Sequence, residues 1–346
     1  MDRKYLLNIL DKIGVAVGGG NALTIDTDVI MFHNNYVYSY NGEILFSHPC
    51  EININCCVRA KELISTLSKM KGDEIDLIYK NDNLVIFNDT TKLTLFNKES
   101  ESLKGAIDFV DLTSLEFEKL PENFLSGVSA CLFSTKSLDD NLNYIYVKNN
   151  QIISCDNYFI SRYQMSENIN KEFAMPILIA KTLASLNIAI NKYAVEENWI
   201  HFLAENNIAF SIRKIIIDYP INDILKIIKN NLYIGNKYLF PEEIINSIDR
   251  ANNLSSGNNN GEMPYIILEI GNNIITIRGK NSAGEISDKI KASGINGLDS
   301  KIKVNVSPML LKNITKITLE FSLTPDNYFI FNKENYVYIL ISQRNE

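Results

Sequence analysis

Cysteine, histidine and tryptophan are scarce in this sequence, and their scarcity removes several chemistries. The five cysteines, Cys50, Cys56, Cys57, Cys131 and Cys155, form no C-x-x-C pair, and His33, His48 and His201 have no helical partner at a metal-ligand spacing. Cys56 and Cys57 are neighbours on a strand, so they point to opposite faces and do not read as a metal pair. A reduced, metal-free and cofactor-free interior is expected. Trp199, the single tryptophan, sits in a strand-like run and reads as core or sheet face rather than as a stacking platform. No apolar run approaches the ~20 residues that span a bilayer, and Met1-Asp-Arg-Lys-Tyr leads into an amphipathic helix instead of a secretory segment; a cytoplasmic protein is expected. Gly18-Gly19-Gly20 follows a helix and lacks a Lys-Ser or Lys-Thr partner, which argues against a phosphate-cradling loop. No nucleophile, base and orienting group stand in a recognisable arrangement, so no enzyme is expected. A net charge of −7 excludes a uniformly basic nucleic-acid binder.

What is present is repetition. Val58 to Met70 places Ala60, Leu63, Ile64 and Leu67 on one helix face. Gly72 and Asp73 stop that helix, and three strand-like runs follow, Glu74 to Lys80, Asn83 to Asn88 and Thr91 to Phe96. The same helix-plus-meander pattern recurs with helices near residues 2–14, 58–70, 121–133, 176–188, 240–253 and 307–316, six copies in all. A single helix and three strands cannot bury both faces, so two copies pack into each domain and the fold class is α+β. Three domains are expected, over residues 1–110, 111–223 and 224–346. The charged stretch Asn97 to Lys104 reads as a linker, and Asp218 to Asp223 as a second break.

The polar faces of these helices carry cations in an acidic protein. Opposite the apolar stripes lie Lys4, Asn8 and Lys12 in the first helix, Ser65 and Lys69 in the second, and Ser126 and Ser129 in the third. Lys181 follows in the fourth, Asn246 and Arg250 in the fifth, Lys312 and Lys316 in the sixth. Asp11, Glu62, Glu242 and Asp249 sit at the flanks. Taken singly each face is an ordinary solvated surface; six together make a track able to hold a phosphate backbone without reading sequence.

Four segments resemble the bacterial sliding clamp family, the β subunit of DNA polymerase III. Cys155-Asp-Asn-Tyr-Phe-Ile160 is similar to its Thr-Asp-Gly-His-Arg-Leu turn, and Asp218-Tyr-Pro-Ile-Asn-Asp223 to the Arg-Phe-Pro-Asp-Tyr stretch before its third domain. Val306-Ser-Pro-Met-Leu-Leu311 resembles its last helix, and Tyr336 to Arg344 its terminal strand. Asn157, Tyr158 and Phe159 replace the glycine, histidine and arginine of the turn, and Ile341-Ser342-Gln343 replaces Met-Pro-Met, which suggests a divergent, phage-type member. The resemblance implies a ring of two head-to-tail subunits with helices inside and sheets outside. Such a ring encircles double-stranded DNA without sequence preference and tethers a DNA polymerase, after placement by a clamp loader, in the cytoplasm of the cell or of a phage host.

It also implies sites. DNA would meet Lys4, Lys12, Lys69, Lys181, Arg250, Lys312 and Lys316 on the helices, and Gly20, Asn21 and Lys136 on loops at one face. A hydrophobic pocket for partner peptides would include Leu142, Cys155, Asn157, Tyr158, Phe159, Ile160, Pro220, Leu225, Ile339, Ile341 and Arg344. Two other readings stay open: a monomeric, non-ring processivity factor that binds DNA electrostatically, and a repeat-built structural or carbohydrate-binding protein.

Overall fold

The computed structural model describes residues 1–18, 26–132, 142–156, 158–232, 236–255, 264–295, 298, 301–325 and 328–341. Six similar stretches follow one another. The first is α1 (Arg3–Ile13) with β1 (Val29–His33), β2 (Tyr36–Tyr40) and β3 (Ile44–Pro49). The second adds β4 (Cys56–Arg59), α2 (Ala60–Lys69), β5 (Asp76–Lys80), β6 (Asn83–Phe87) and β7 (Lys92–Phe96), and is followed by α3 (Glu101–Phe109). The third holds β8 (Glu118–Lys119), α4 (Phe124–Cys131), β9 (Tyr144–Lys148), β10 (Gln151–Cys155) and β11 (Phe159–Gln164). The fourth holds β12 (Phe173–Pro176), α5 (Ile177–Ser185), β13 (Ile190–Val195), β14 (Trp199–Ala204) and β15 (Ala209–Arg213), and α6 (Ile221–Asn231) comes next. The fifth holds β16 (Lys237–Leu239), α7 (Ile244–Asn252), β17 (Ile266–Gly271), β18 (Ile274–Asn281) and β19 (Gly284–Lys291). The sixth holds β20 (Ile302–Val306), α8 (Pro308–Ile317), β21 (Glu320–Leu323), β22 (Phe329–Lys333) and β23 (Tyr336–Leu340).

Local chemistry starts and ends these elements. The Asp2 side chain accepts from the Tyr5 N–H at 2.7 Å and caps α1, whose buried face is Leu6, Ile9, Leu10 and Ile13, with Leu7 half-buried beside it. Asparagine supplies the tight hairpins. Asn34-Asn35, Asn81-Asp82 and Asn272-Asn273 all have positive φ, the pairwise left-handed geometry of two-residue turns between twisted strands. Gly127 lets α4 lie directly on the sheet, because a Cβ there would stand 2.4 Å from the Tyr163 ring and 2.7 Å from Ile152.

Two helices arise where linkers were expected. In α3 the Ser100 hydroxyl accepts from the Leu103 N–H, and Leu103 and Ala106 are buried. The charged residues of that stretch, Glu101, Lys104 and Asp108, are simply its solvent side. The second, α6, buries Ile221, Ile224 and Ile228, so the expected boundary at 223/224 falls inside a helix. In the sixth copy Lys316 and Ile317 complete α8, and the next strand begins at Glu320.

The strands form two eight-stranded sheets, ordered β4-β1-β2-β3-β15-β14-β13-β8 and β12-β9-β10-β11-β23-β22-β21-β16, beside smaller sheets β19-β18-β17-β20 and β5-β6-β7. The short strand that enters each copy pairs with a different copy: β8 with β13, β12 with β9, β16 with β21, β20 with β17. This exchange joins copies three and four, and copies five and six. The large sheets add a second rule, in which the third strand of one copy pairs antiparallel with the third strand of another. Leu45 of β3 faces Ser211 of β15, and Ile160 of β11 faces Ile339 of β23.

The chain divides into two compact units, Met1–Glu122 with Lys181–Ile215, and Asn123–Ala180 with Ile216–Glu346. Each holds one large sheet with helices on one face and a connecting helix on the other. In the first unit Leu103 and Ala106 of α3 pack with Val29, Tyr40, Leu45, Cys57 and Trp199. Trp199 is 1% exposed, core as its strand position indicated, with the Arg213 guanidinium 4.6 Å above its ring. Cys56 and Cys57 point to opposite faces of β4, yet both are buried, and burial pushes both thiols up to about 12.

Candidate nucleic-acid and partner-binding surfaces

The helix faces opposite the core carry most of the expected cations, and the structure separates them into two groups. Lys69, Lys181 and Lys316 are exposed and Lys12 is half-exposed; among the described residues none of these four has a salt bridge. Lys69 and Lys316 lie in the last turns of α2 and α8, where a cation also complements the helix dipole. Lys4, Arg250 and Lys312 are committed to carboxylates. Lys4 meets Asp73 at 3.0 Å, and its hydrogen bond holds the Asp73 carboxyl below the usual range. Arg250 grips Asp288 through Nε at 2.8 Å and a terminal nitrogen at 2.7 Å, and also reaches Ser247 at 2.9 Å. Lys312 meets Asp249 at 2.5 Å. Asp249 had been read as a flanking acid; it neutralises the neighbouring helix's lysine instead. The helix α4 contributes only Ser126 and Ser129 to its exposed face. Gly20, Asn21 and Lys136 lie outside the described residues.

The expected peptide-binding residues converge only in part. Leu142, Cys155, Ile160 and Ile339 share one buried cluster with Ile153, Tyr219, Ile221, Ile224, Ile228 and Val337, and half-buried Leu225 packs against it. Thus α6 lies on the face of the sheet away from α4, and Leu225 stands at the margin of the cluster. Pro220 is the residue before the first turn of α6, Tyr158 and Ile341 are half-buried, and the Ile341 N–H donates to the Tyr158 carbonyl at 2.7 Å. Phe159 belongs elsewhere: it lies in the core on the other face of the sheet, stacked on Tyr338 at 5.8 Å. Alternation along β11 puts Phe159 and Ile160 on opposite sides, so only one of the two can face α6. Asn157 and Arg344 lie outside the described residues.

Tyr219 was absent from the expected set and is central to the cluster. Its ring stacks on Tyr146 at 5.2 Å with planes 4° apart. Its hydroxyl donates to Cys155 Sγ at 3.6 Å, and burial raises its pKa far above the ordinary value. The sequence signal was the Tyr-Pro step directly before the apolar run 221, 224, 225, 228.

One arrangement resembles a catalytic relay and is sealed. His201 meets Ser211 Oγ through Nδ1 at 2.8 Å and Glu196 through Nε2 at 3.0 Å. Ser211 is 2% exposed and His201 fully buried, so the hydroxyl reaches no substrate and the trio ties β14 to β15. Burial lowers the His201 pKa below 6.5, with Glu196 opposing. The unfolded chain therefore takes the proton first, so the stability is present above the unfolded value of about 6.5 and is lost as pH falls below it. Urea midpoints should drop between pH 7 and pH 5, and less steeply in His201→Gln.

No protein-family model matches the sequence, and no curated protein aligns with it significantly. Solved structures do match in fold. The β chain of DNA polymerase III from Streptococcus pneumoniae TIGR4 superimposes with a TM-score of 0.80 at 17% identity, over 99% of this chain and 98% of that one. The DNA polymerase III subunit beta from Pseudomonas aeruginosa gives 0.78 at 14% identity, over 100% and 99%. The DNA polymerase sliding clamp from Bacillus subtilis gives 0.78 at 16%, over 100% and 98%. The chain has the sliding-clamp fold. The matches run nearly end to end, so all six repeats lie within the clamp fold. Within the clamp fold, the exposed lysines lie on the repeat helices, whereas the α6 cluster lies on the opposite face of its sheet.

Proposed function

We propose that this chain is a DNA sliding clamp, a processivity factor that binds duplex DNA without reading its sequence and tethers a replicative polymerase. What supports this reading above all is the full-length match to DNA polymerase III β subunits. The exposed lysines agree with it, since contacts to phosphate position a protein on DNA without specifying sequence. Two copies close around the duplex head to tail after placement by a clamp loader, and no step of the work is catalytic. The test is topological. The protein should stay on nicked circular DNA through gel filtration and slip off after the circle is cut; equal loss from both forms would favour the monomeric electrostatic binder.

The partner site is the surface where α6 packs on β10, β11 and β23. Its base is the Ile160, Ile339 and Tyr219 cluster, and Leu225, Pro220, Tyr158 and Ile341 are the accessible margin. One or two apolar side chains of a polymerase or loader peptide anchor there, with the rim fixing orientation. Replacing half-buried Leu225 by Asp should leave folding and DNA retention intact. Polymerase stimulation should fall by ~30-fold or more, the cost of ~2 kcal/mol for losing an anchor contact. A primer-extension assay with and without the clamp reads this directly.

The second copy comes in through strand edges. β7 and β19 each pair on one side only, with β6 and β18, and among the described residues no strand lies on their outer edges. The rule that joins β3 to β15 and β11 to β23 then joins β7 of one subunit to β19 of the next.

A further inference from the structure

The first unit contains a cavity of about 440 Å³ that lies apart from the lysine-bearing helix faces and from the α6 cluster. It lies between α3, residues 97–100 and the strands β1 and β4. Its inner wall is apolar, made by Met31, Cys56, Cys57 and Ile107, and its rim carries Glu99, Glu101 and Asp108, all exposed. Two lysines also line it. Lys98 is already held by Asp26 at 2.5 Å and Asp28 at 2.8 Å, so its charge is spent within the protein. That leaves Lys104 alone against three carboxylates. A phosphate backbone is therefore repelled here, on a protein whose helices attract one. The volume falls in the range of about 300–1,000 Å³ typical of binding cavities.

We propose that this cavity docks a short peptide of another protein, an apolar residue flanked by basic ones. Strand addition is not the mode, because the outer edge of β4 is occupied: the Cys57 carbonyl accepts from the Lys98 N–H at 2.8 Å, and the Cys57 N–H donates to Asn97 at 2.9 Å. Side chains do the recognising. Glu101 and Asp108 are seven residues apart on α3, the same face two turns on, or about 10.5 Å along the axis. Basic residues three apart on a polyproline-type chain, which has three residues per turn, share one face and are ~9 Å apart, so such a peptide reaches both carboxylates while a residue between them enters the cavity. A small cation meets only one of them. The position in the fold agrees: α3 lies on its sheet in the first unit as α6 lies on its sheet in the second. The α3 cavity does not depend on the proposed α6 site.

The test uses the full chain and the tetrapeptide Lys-Leu-Phe-Lys, amidated and carrying a neutral fluorophore, followed by fluorescence anisotropy. Saturable binding is expected, weakened at least tenfold when Glu99, Glu101 and Asp108 are all changed to Lys. These side chains are exposed, so the variant should fold, which circular dichroism confirms. The same variant should gain affinity for Glu-Leu-Phe-Glu, a charge-swapped rescue that simple damage would not produce, and Lys104→Glu should tighten the basic peptide. Equal binding of both peptides to the natural chain, indifference to the triple reversal, or binding lost in Leu225→Asp but not in the reversal would each overturn the proposal. Retention on circular DNA is unaffected in every case, which separates this cleft from the clamp reading.

Discussion

Changing Lys12, Lys69, Lys181 and Lys316 to Glu should abolish retention on circular DNA while leaving a folded protein. These four side chains are the expected DNA-facing helix cations that have no salt bridge among the described residues, and only Lys12 is as much as half-buried. Each phosphate contact releases about 0.9 counterion on duplex DNA, so removing four flattens the slope of log affinity against log salt by roughly 4 per chain. Reversal adds repulsion to that loss. At low salt the affinity should fall by on the order of a thousandfold, since proteins with a handful more contacts lose that much over a fourfold salt change. The structural cost is small. Reversal at Lys69 and Lys316 opposes the helix dipole, for about 0.3–1 kcal/mol each, and the other two positions are surface changes within ±0.5 kcal/mol.

The contrast with Arg250 and Lys312 sharpens the expectation. Both share the polar helix faces with the four, and both spend their charge on carboxylates, Asp288 and Asp249 respectively. Arg250→Glu and Lys312→Glu should therefore reduce DNA binding much less than the unpaired set, and should cost stability by placing a carboxylate against a carboxylate. Gel-shift titrations at several salt concentrations, run on both sets, measure the difference. Equal effects from the paired and unpaired sets would remove the proposed division of labour.

The reach of the sequence is clearest where periodicity alone decides the answer. The helix stripes of α2 and α8 and the hairpins at Asn34-Asn35 and Asn81-Asp82 are each written within a dozen residues, and the sixfold recurrence follows from them. What periodicity left hidden falls into two kinds. The connectors α3 and α6 carry an apolar i, i+3, i+4, i+7 set, Leu103, Ala106, Ile107 and Val110 in one and Ile221, Ile224, Leu225 and Ile228 in the other. The charged residues and the Tyr-Pro break around them masked it. The pairings Arg250 with Asp288, or β3 with β15, are long-range: nothing local fixes them, so the same residues read as free cations and free edges. Phe159 shows the intermediate case. Its neighbourhood was identified, but which of two adjacent strand residues faces α6 depends on register, and register is set by partners far along the chain.

Register also sets the other large expected effect, which is on assembly. In the β6–β7 hairpin the Asn88 N–H bonds to Thr91 and the Asn97 N–H to Asp82. Antiparallel alternation then turns the backbone groups of Leu93 and Leu95 toward β6 and those of Lys92, Thr94 and Phe96 toward the open edge. In β19 the same count, starting from the Ala292 N–H bonded to Asn273, turns Glu285, Ser287, Lys289 and Lys291 outward. A proline at Thr94 removes an outward N–H and none from the fold's own ladder, because the register turns the Thr94 N–H away from β6, the one kind of strand position that proline tolerates. Thr94→Pro should therefore leave thermal unfolding within a few degrees of the natural chain and convert a dimer of twice 39.3 kDa into a monomer. Ser287→Pro on the other edge should do the same, since head-to-tail closure uses each edge at both seams. Sedimentation equilibrium gives the masses. Loss of retention on circular DNA in step with the fall in mass would tie encirclement to this seam, whereas a variant that stays dimeric would place the contact between subunits elsewhere. Mixing the two proline variants provides the stricter version: each retains one sound edge, so a mixture can build one intact seam but never two. Open dimers that sediment as pairs yet slide off circular DNA are the expected product, and a mixture that still held the circle would separate retention from closure.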